Sequence, residues 1–373
     1  MQKILYIAPV FFELKLSSGV QKKISYQCDA FSRTFETFIL CYDNDGIVLL
    51  EWKTKQKTII SKKKGGRYVV AFSRRLNASF DFVYIRYPLC SFSFLRSVRA
   101  LSKSSKKITI EIATYPYERE YQKGLKNRCI SLLDKLTRIF LKKYVNRIVT
   151  FSKDEYIFGI KTIVTINGVD FSKVGIAEYT NSSVLDLIAV SSVYYLHGYD
   201  RLINGLAHYY KNNGSDDIVL HIVGDGPYLN QYKELVNSNG INNHVIFYGN
   251  LFGDELDALY SKSLLAINSL AIHRQNLLNE STIKSKEYAA KGLPIMSSSF
   301  VDAFSEEDNN RFVFLVEPND EQIDIESMLS FIHALYDKHS ITDVRKRIRS
   351  GSISVCDINV TMQPIIMFFS GEE

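Results

Sequence analysis

Short apolar runs that alternate with amphipathic helical patterns, twice along the chain, constrain the fold most. In the first half such runs occur at residues 3–8, 36–42, 107–112 and 147–151, and in the second half the alternation restarts at residue 185. Strands that alternate with helices form parallel sheets, because each parallel connection needs a crossover of about a dozen residues. The sequence therefore predicts an α/β protein of two Rossmann-like, doubly wound parallel-sheet domains that face each other across a cleft.

The length of 373 residues is sufficient for two domains of ordinary size, each with its own core. We place an N-terminal domain at residues 1–175 and a C-terminal domain at residues 176–355. Residues 356–373 form an apolar tail that we expect to dock as a terminal segment. Pro364 should keep any helix in that tail short, because proline cannot continue the helical hydrogen bonding.

The two halves carry opposite charge. Residues 1–175 contain 32 Lys and Arg against 14 Asp and Glu, and the remaining residues contain 14 against 26. A basic half suits anionic lipid, a pyrophosphate-linked acceptor or nucleic acid, with a lysine-rich solvated surface as the alternative. Nucleic acid is not expected as a partner, since no recognition helix or RNA-binding motif is evident. A basic helix predicted at residues 121–145, with Leu132 and Leu136 on its apolar face, would rest on a membrane surface or pack into the core.

The five cysteines are odd in number and show no paired spacing. This pattern favours a reducing cytoplasmic location and argues against a disulfide framework or a zinc site. The apolar run at residues 3–10 is too short for a membrane span, which needs about 20 residues. The sequence Asp43-Asn44-Asp45-Gly46 would suit a divalent metal on a nucleotide-sugar, but it is also a strong turn signal, and we favour the turn.

The stretch at residues 279–295 predicts a short helix with a binding role. Asn279 or Ser281 can cap its start, and Gly292 with Pro294 ends it. The N-terminus of such a helix suits a phosphate, and Glu287, nearly two turns along, suits a sugar hydroxyl beside that phosphate. The alternative is an ordinary surface helix with a solvated glutamate.

Other loops at predicted strand ends would meet this helix. They comprise the tight turn Gly224-Asp225-Gly226-Pro227, the pair Tyr248-Gly249 and the pair His197-Gly198. Ligands of open α/β sheets bind at the carboxyl ends of the strands. We therefore predict a nucleotide-diphosphate pocket here, with Gly19 of the first half ending a loop where the backbone approaches a ligand.

These motifs, in this order, resemble the nucleotide-binding half of retaining GT-B glycosyltransferases of the group 1 type. The segment Asn167-Gly168-Val169-Asp170 resembles that family's Pro-Asn-Gly-Val-Asp, with Ile166 in place of proline. The segments at residues 114–118 and 197–202 look like a subgroup of bacterial surface-polysaccharide pathways. The resemblance implies a metal-independent, retaining transfer of a sugar from a UDP- or GDP-sugar to a lipid-linked or oligosaccharide acceptor. It also implies a cytoplasmic enzyme that requires no cofactor, and the basic first half leaves peripheral contact with an anionic membrane open.

The resemblance also assigns roles to residues. Glu287 would bond the donor ribose, and Asn279 stands where the family has a first acid, with Glu280 one step farther. A basic pair usual in the family is replaced by Ser192 and His197, so Lys284 would supply the missing cation. The nucleotide-sugar contacts comprise Gly19, Gly224, Asp225, Gly226, Tyr248, Gly249, Asn279, Glu280, Ser281, Thr282, Ile283, Lys284 and Glu287.

The catalytic candidates are Lys284, Glu287, His197 and Glu118, the last facing the acceptor or the donor sugar. Each has a simpler alternative: His197 as a helix cap, Lys284 as a solvated lysine and Glu118 as a residue without a catalytic role. The alternative to a transferase is a catalytically degenerate GT-B-like protein that binds a partner enzyme or a glycan, which Asn279 and the replaced basic pair favour.

Overall fold

The structure, a computed structural model, describes residues 1–14, 18–76, 78–117, 124–277 and 280–372. The strands in this part of the chain are β1 (Lys3–Phe11), β2 (Glu36–Asp43), β3 (Gly46–Glu51), β4 (Lys57–Ser61), β5 (Phe82–Arg86), β6 (Lys107–Ile112), β7 (Arg147–Thr150), β8 (Tyr156–Ile157), β9 (Ile160–Val164), β10 (Leu185–Val190), β11 (Ile218–Val223), β12 (Val245–Gly249), β13 (Leu265–Ile267), β14 (Ile295–Ser297) and β15 (Val313–Leu315). The α-helices are α1 (Gly19–Ser32), α2 (Gly66–Ser73), α3 (Phe92–Leu101), α4 (Leu125–Arg138), α5 (Tyr199–Lys211), α6 (Leu229–Ser238), α7 (Asp254–Lys262), α8 (Ile283–Lys291), α9 (Glu306–Phe312), α10 (Ile325–Tyr336), α11 (Ile341–Cys356) and α12 (Ile358–Ser370).

The first compact unit comprises residues 1–168 and 358–373. Its sheet, over the described residues, has nine strands in the order β4-β3-β2-β1-β5-β6-β7-β9-β8. The pairs from β2 through β7 to β9 are parallel, and the antiparallel strands β3, β4 and β8 lie toward the edges. The central strands are buried almost throughout, as expected for a parallel sheet with helices on its faces.

The second compact unit comprises residues 169–357. Its sheet has six strands in the described part of the chain, in the order β12-β11-β10-β13-β14-β15, and all its pairs are parallel. The strand β10 lies in the middle, and the order reverses direction there. The core of this unit packs the apolar sides of α5, α6 and α10 against β10, β11 and β13. The prediction of two parallel-sheet α/β domains is confirmed.

The units divide the chain differently from the boundaries at residues 175 and 355. Residues 169–175 lie with the second unit, because the Val169 N–H donates to the Cys356 carbonyl and the Phe171 N–H donates to the Asp357 carboxylate. The tail lies with the first unit as α12, which packs against α1. The expectation that Pro364 keeps this helix short is wrong, since α12 continues for 13 residues with Pro364 inside it. Its end is fixed by packing, because the Phe369 ring lies 5.1 Å from that of Phe82.

Two local predictions of the first half have clear outcomes. The sequence Asp43-Asn44-Asp45-Gly46 is the turn between β2 and β3, with Asp43 paired to Gly46, and Lys57 forms ion pairs with both aspartates. The helix predicted at residues 121–145 is shorter in the described residues, where α4 is followed by a 3-10 turn at Leu141–Lys143. None of the described helices has the length and hydrophobicity that crossing a bilayer requires.

A buried carboxylate links the helix α1 to the first sheet. Glu111, near the end of β6, is fully buried, and its Oε1 lies 2.8 Å from Lys23 Nζ and 3.2 Å from Arg86 Nη1. Burial by itself would raise the pKa of Glu111, but the charges of Lys23 and Arg86 outweigh it and lower that pKa to about 2. The carboxylate is therefore charged at neutral pH and fixes the first turns of α1 over the ends of β5 and β6.

We expect Glu111→Gln to lower the free energy of unfolding by about 3 kcal/mol or more, because it removes the negative charge that faces the buried Lys23 ammonium. The matched control is Glu36→Gln, which removes an ion pair between the partly exposed side chains of Glu36 and Lys3. That control should lose less than about 1 kcal/mol. Denaturant titrations measure both changes, and equal losses would contradict this assignment.

The same pair predicts a pH dependence with a definite sign. Because the folded-state pKa of Glu111 lies below its usual 4.5, its stabilisation is complete above about pH 4.5 and is lost as the pH falls toward about 2. Denaturant titrations between about pH 5 and about pH 3 should therefore show a steeper loss of stability in the wild type than in Glu111→Gln.

Candidate functional site

The candidate residues of the second unit meet at one edge of its sheet. Parallel pairing directs the carboxyl ends of β10, β11, β12, β13 and β14 to this edge. The loops after β10, β11 and β13 contain His197, the turn at residues 224–227 and the pair Asn268-Ser269. Gly249 is the last residue of β12, and Ser297 is the last residue of β14, followed by Ser298 and Ser299. The strand β10 pairs with β11 on one side and β13 on the other, so this edge includes the point where the strand order reverses, which is where ligands of such sheets bind.

The protein's own backbone leaves no room for a side chain at the two glycines of the turn after β11. Gly224 has φ +126°, and a Cβ at this position would lie 1.8 Å from the Ser191 carbonyl oxygen. A Cβ at Gly226 would lie 2.4 Å from the Val193 carbonyl oxygen. The two loops after β10 and β11 are thus packed backbone against backbone. The side chain of Asp225, between the glycines, is exposed and accepts a hydrogen bond from the Gly226 N–H.

The helix α8 begins where the sequence predicts a helix, but with a different cap. Thr282 caps it, since its hydroxyl accepts a hydrogen bond from the Ser285 N–H, so the expectation that Asn279 or Ser281 caps the helix is wrong. The helix ends at Gly292, which has φ +81°, as predicted. The first N–H groups of a helix lack partners within it, and they give this end its affinity for anions.

The side chain of Lys284, in the first turn of α8, forms a short chain of polar contacts. Its Nζ lies 3.0 Å from Ser269 Oγ, and Ser269 Oγ in turn lies 3.0 Å from Glu280 Oε2. Burial lowers the pKa of Lys284 from its usual 10.5 to about 8, although Glu280 opposes this shift. Lys284 is partly buried and bonded to Ser269, so it is not a fully solvated lysine, and it presents an ammonium that another anion would stabilise.

Three buried polar atoms of nearby residues have no hydrogen-bond partner among the described residues. They are Glu280 Oε1, Asn268 Oδ1 and Ser299 Oγ. Asn268 also donates to Ser297 Oγ at 3.1 Å, and the Ser298 hydroxyl donates to the Ser269 carbonyl. Buried polar atoms are normally satisfied, so unsatisfied ones at a strand edge indicate a place for a polar ligand.

His197 is held as a neutral donor. Its Nδ1 accepts a hydrogen bond from the Tyr194 N–H at 3.0 Å, and its ring stacks on Tyr199. Burial, with the charge of Lys284 as the second cause, holds the pKa of His197 well below its usual 6.5. The proton of the neutral ring therefore resides on Nε2. His197 thus caps the 3-10 turn at Tyr195–His197 and not α5, which begins after Gly198 without a side-chain cap. A role for a charged His197 does not fit, whereas donation from Nε2 stays a prediction.

Two other predicted residues, one on α8 and one near the end of β12, have different surroundings. Glu287 is buried on the second turn of α8, with 9% of its surface exposed. Tyr248 contacts His221 Nδ1 through its hydroxyl at 2.9 Å, and His221 Nε2 in turn contacts the buried Asp186 carboxylate. The hydroxyl of Tyr248 thus contacts a buried residue of the sheet, and Tyr248 as a whole is partly exposed.

Gly19 is the first residue of α1 in the other unit, and a Cβ there would meet open space, so the protein itself does not require glycine at this position. Glu118 and Asn279 lie outside the described residues. Three or more metal-binding side chains do not group together anywhere in the described ranges.

Sequence reasoning missed Asn268, Ser269 and the serines 298–299. The signal that could have found them is the one used for the other loops: polar residues that follow directly after an apolar strand, here β13 and β14. No sequence pattern predicts the contact between Ser269 and Lys284, because the two residues are 15 positions apart and meet only in the folded protein.

Comparison with known proteins agrees with this geometry. Residues 185–334, which carry the site, match the family model "Glycosyl transferases group 1". No curated protein matches the chain. Because the match covers less than half of the chain, it bears on the second unit.

Solved structures match over the whole length. A glycosyltransferase from Rickettsia africae is 16% identical with a TM-score of 0.65, covering 99% of this chain and 98% of that one. Sucrose-phosphate synthase from Thermosynechococcus elongatus is 12% identical with a TM-score of 0.69, covering both chains fully. Anabaena HepE, solved in complex with UDP, is 13% identical with a TM-score of 0.63, covering 99% and 100%. These identities show the fold, and the chain has the two α/β domains of GT-B glycosyltransferases.

The protonation state of His197 can be measured directly. We expect its ring to remain neutral, with the proton on Nε2, as the pH falls from about 7.5 to about 6, because protonation would place a charge in a buried position beside Lys284. Nitrogen chemical shifts of histidine-labelled protein report this state, and loss of the signal in His197→Asn assigns it. A ring that protonates within that range would contradict the assignment.

Proposed function

We propose that the protein is a glycosyltransferase that takes its sugar from a UDP- or GDP-sugar bound at the carboxyl edge of the second sheet. The observation that carries the proposal is the ammonium of Lys284, a partly buried side chain at the start of α8. This ammonium contacts the Ser269 hydroxyl and no carboxylate among the described residues, so a bound anion would neutralise its charge. The N–H groups of the same helix end point at that anion. The match of residues 185–334 to the glycosyltransferase family and the UDP bound by HepE support a nucleoside diphosphate as that anion.

Each group has a role in this transfer. As the bond between the sugar C1 and the diphosphate oxygen breaks, its electron pair passes to the diphosphate. The oxygen of the acceptor hydroxyl forms the new bond to C1, and its proton passes to the departing diphosphate. Lys284 and the start of α8 stabilise the charge that develops on the diphosphate, which is a large source of rate acceleration in such sites. His197 donates from Nε2, and Glu287 accepts hydrogen bonds from the donor ribose.

The finer features of the proposal follow the resemblance of the sequence motifs. We propose that the transfer retains the anomeric configuration, needs no metal or cofactor and acts in the cytoplasm on a lipid-linked or oligosaccharide acceptor of bacterial surface polysaccharide. Glu118 would then face the acceptor or the donor sugar, and Gly19 would approach the donor phosphates. The basic charge of residues 1–175 supports an acceptor that carries pyrophosphate.

A degenerate, partner-binding protein is the second candidate. Asn279 at the place of an acid favours it, as does the replacement of a basic pair by Ser192 and the neutral His197. Calorimetric titration with UDP, GDP and their sugar conjugates, with and without EDTA, separates the two. Micromolar binding that EDTA leaves unchanged supports the metal-independent transferase. If no nucleotide binds, the partner-binding alternative replaces it.

We expect Lys284→Met and Glu287→Ala each to lower kcat/KM for sugar transfer by about a hundredfold or more, because the first removes transition-state charge stabilisation and the second a donor contact. Lys233→Met and Glu234→Ala, on the exposed side of α6, are matched controls and should transfer normally. Thermal unfolding checks that the variants are folded. Normal turnover in folded Lys284→Met and Glu287→Ala would overturn the proposed roles.

The lowered pKa of Lys284 predicts how nucleotide affinity depends on pH. In the free protein this pKa is about 8, and a bound diphosphate would raise it, so binding above that pH takes up a proton. We expect UDP or GDP affinity to fall between about pH 7.5 and about pH 9, by at most about tenfold per pH unit. Lys284→Arg keeps the charge throughout this range and should remove most of the dependence, as measured by calorimetry. An equal dependence in both proteins would contradict a charge role for Lys284.

A further inference from the structure

The helix α4 buries its polar side and exposes its apolar side. Asp134 is fully buried, and its carboxylate accepts hydrogen bonds from the Tyr87 hydroxyl at 2.5 Å, the Cys90 N–H at 2.6 Å and the Tyr117 hydroxyl at 2.6 Å. Thr137 is buried one turn farther along. These bonds fix which face of α4 is turned toward the protein, and that face is the reverse of the usual arrangement in a surface helix.

An apolar stripe runs along the opposite, exposed face. Successive helical residues turn by about 100°, so residues spaced alternately four and three apart fall in one line. The exposed fractions along this line are 82% at Leu125, 59% at Leu132, 61% at Leu136 and 52% at Ile139. Cys129 belongs to the same line and is also exposed. We call these five residues the α4 stripe.

Basic side chains flank the α4 stripe. By the same helical geometry, Arg128 and Lys135 lie along one border and Lys126 along the other, and all three are exposed. Two further exposed lysines, Lys142 and Lys143, follow in the 3-10 turn after the helix. Residues 125–143 contain six Lys and Arg against a single acid, the buried Asp134. The face therefore combines exposed apolar side chains with a strongly positive border.

We propose that the α4 stripe is a docking surface for an anionic lipid membrane. A helix of this kind lies in the plane of the interface, with its apolar residues among the acyl chains and its basic residues at the lipid phosphates. Both the apolar residues and the basic residues contribute to the free energy of membrane binding. Burial of leucine side chains supplies hydrophobic energy, and each basic residue near an anionic surface adds attraction.

The charge pattern argues against a second copy of the chain as the occupant. If two α4 helices packed stripe to stripe, the positions beside the seam would carry Lys126, Arg128 and Lys135 from both copies. Like charges in these positions repel, and the stripe spans about two heptads, which is short for a stable helical pair. Lipid phosphates, by contrast, are complementary to this border.

The inference deepens the proposed function, because it names the surface through which a transferase of lipid-linked acceptors would meet the membrane. It does not require that transfer be correct. Vesicle binding is measured without nucleotide, and nucleotide binding without vesicles, so the failure of one proposal is distinguishable from the failure of the other.

Cosedimentation with vesicles tests the surface. The full-length protein should bind vesicles of equal parts phosphatidylglycerol and phosphatidylcholine, and bind phosphatidylcholine alone weakly or not at all. Leu132→Ser/Leu136→Ser should weaken binding about tenfold or more through lost apolar burial. The matched control Ile59→Ser/Ile353→Ser changes two side chains elsewhere that are 55% and 43% exposed, and it should bind as the wild type does.

A second pair of variants separates the border of the α4 stripe from net charge. Lys126→Gln/Arg128→Gln/Lys135→Gln removes three positive charges beside the stripe, and Lys62→Gln/Lys63→Gln/Lys64→Gln removes three from an exposed loop of the same unit. We expect the first to lose at least about tenfold more affinity than the second. Equal losses would overturn the proposal, because they would indicate attraction by net charge alone.

Cys129 gives a direct readout of immersion. It is exposed within the α4 stripe, whereas the other four cysteines are buried, so a polarity-sensitive thiol fluorophore should label it selectively. Its emission should shift to the blue on phosphatidylglycerol vesicles and not on phosphatidylcholine. Vesicle binding without this shift, absence of vesicle binding, or a blue shift caused by self-association in the absence of lipid would each overturn the proposal.

Discussion

Parallel strand pairing is the constraint on which the second unit depends. Because β10 hydrogen-bonds in parallel with β11 and β13, their carboxyl ends must lie at one edge, and so must the loops that follow them. The loops after these three strands contribute backbone or side-chain atoms to the candidate site. The absence of Cβ atoms at Gly224 and Gly226 then lets the neighbouring loops touch. The site is thus a consequence of strand direction before any side chain is considered.

The electrostatics of this edge follow from burial. Lys284 and His197 both have lowered pKa values, and desolvation is the first cause in each case. The two groups differ in outcome, because the pKa of Lys284, about 8, leaves it mostly charged at neutral pH, whereas His197 is neutral. A charged donor and a neutral donor at one edge suit a ligand that carries both phosphate and hydroxyl groups.

The first unit contains two buried carboxylates, Glu111 and Asp134, that connect helices to the rest of the unit. Glu111 is buried with two cationic partners and joins α1 to the sheet. Asp134 is buried with hydroxyl and backbone donors and with the Arg138 guanidinium, one turn farther along α4, and it joins α4 to its surroundings. In the second case the polar anchor faces inward and the leucines face outward. Both carboxylates are satisfied by several donors, as buried charges in folded proteins must be. The exposed stripe is therefore held in place by the polar contacts behind it.

The sequence by itself determined the alternation of strands and helices, the ends of α8 at Gly292 and of β2 at the Asp43–Gly46 turn, and the candidate loops of the second half. These features are local, since periodicity, turn residues and glycine stops act within a few residues. Only the tertiary structure decided that Thr282 caps α8, that Ser269 meets Lys284, that α12 continues through Pro364 and that the apolar side of α4 faces outward. Each of these depends on contacts between residues distant in the chain, where packing and burial outweigh local preference. An amphipathic pattern identifies two faces of a helix, but its interior face is chosen by the partners that the fold brings to it.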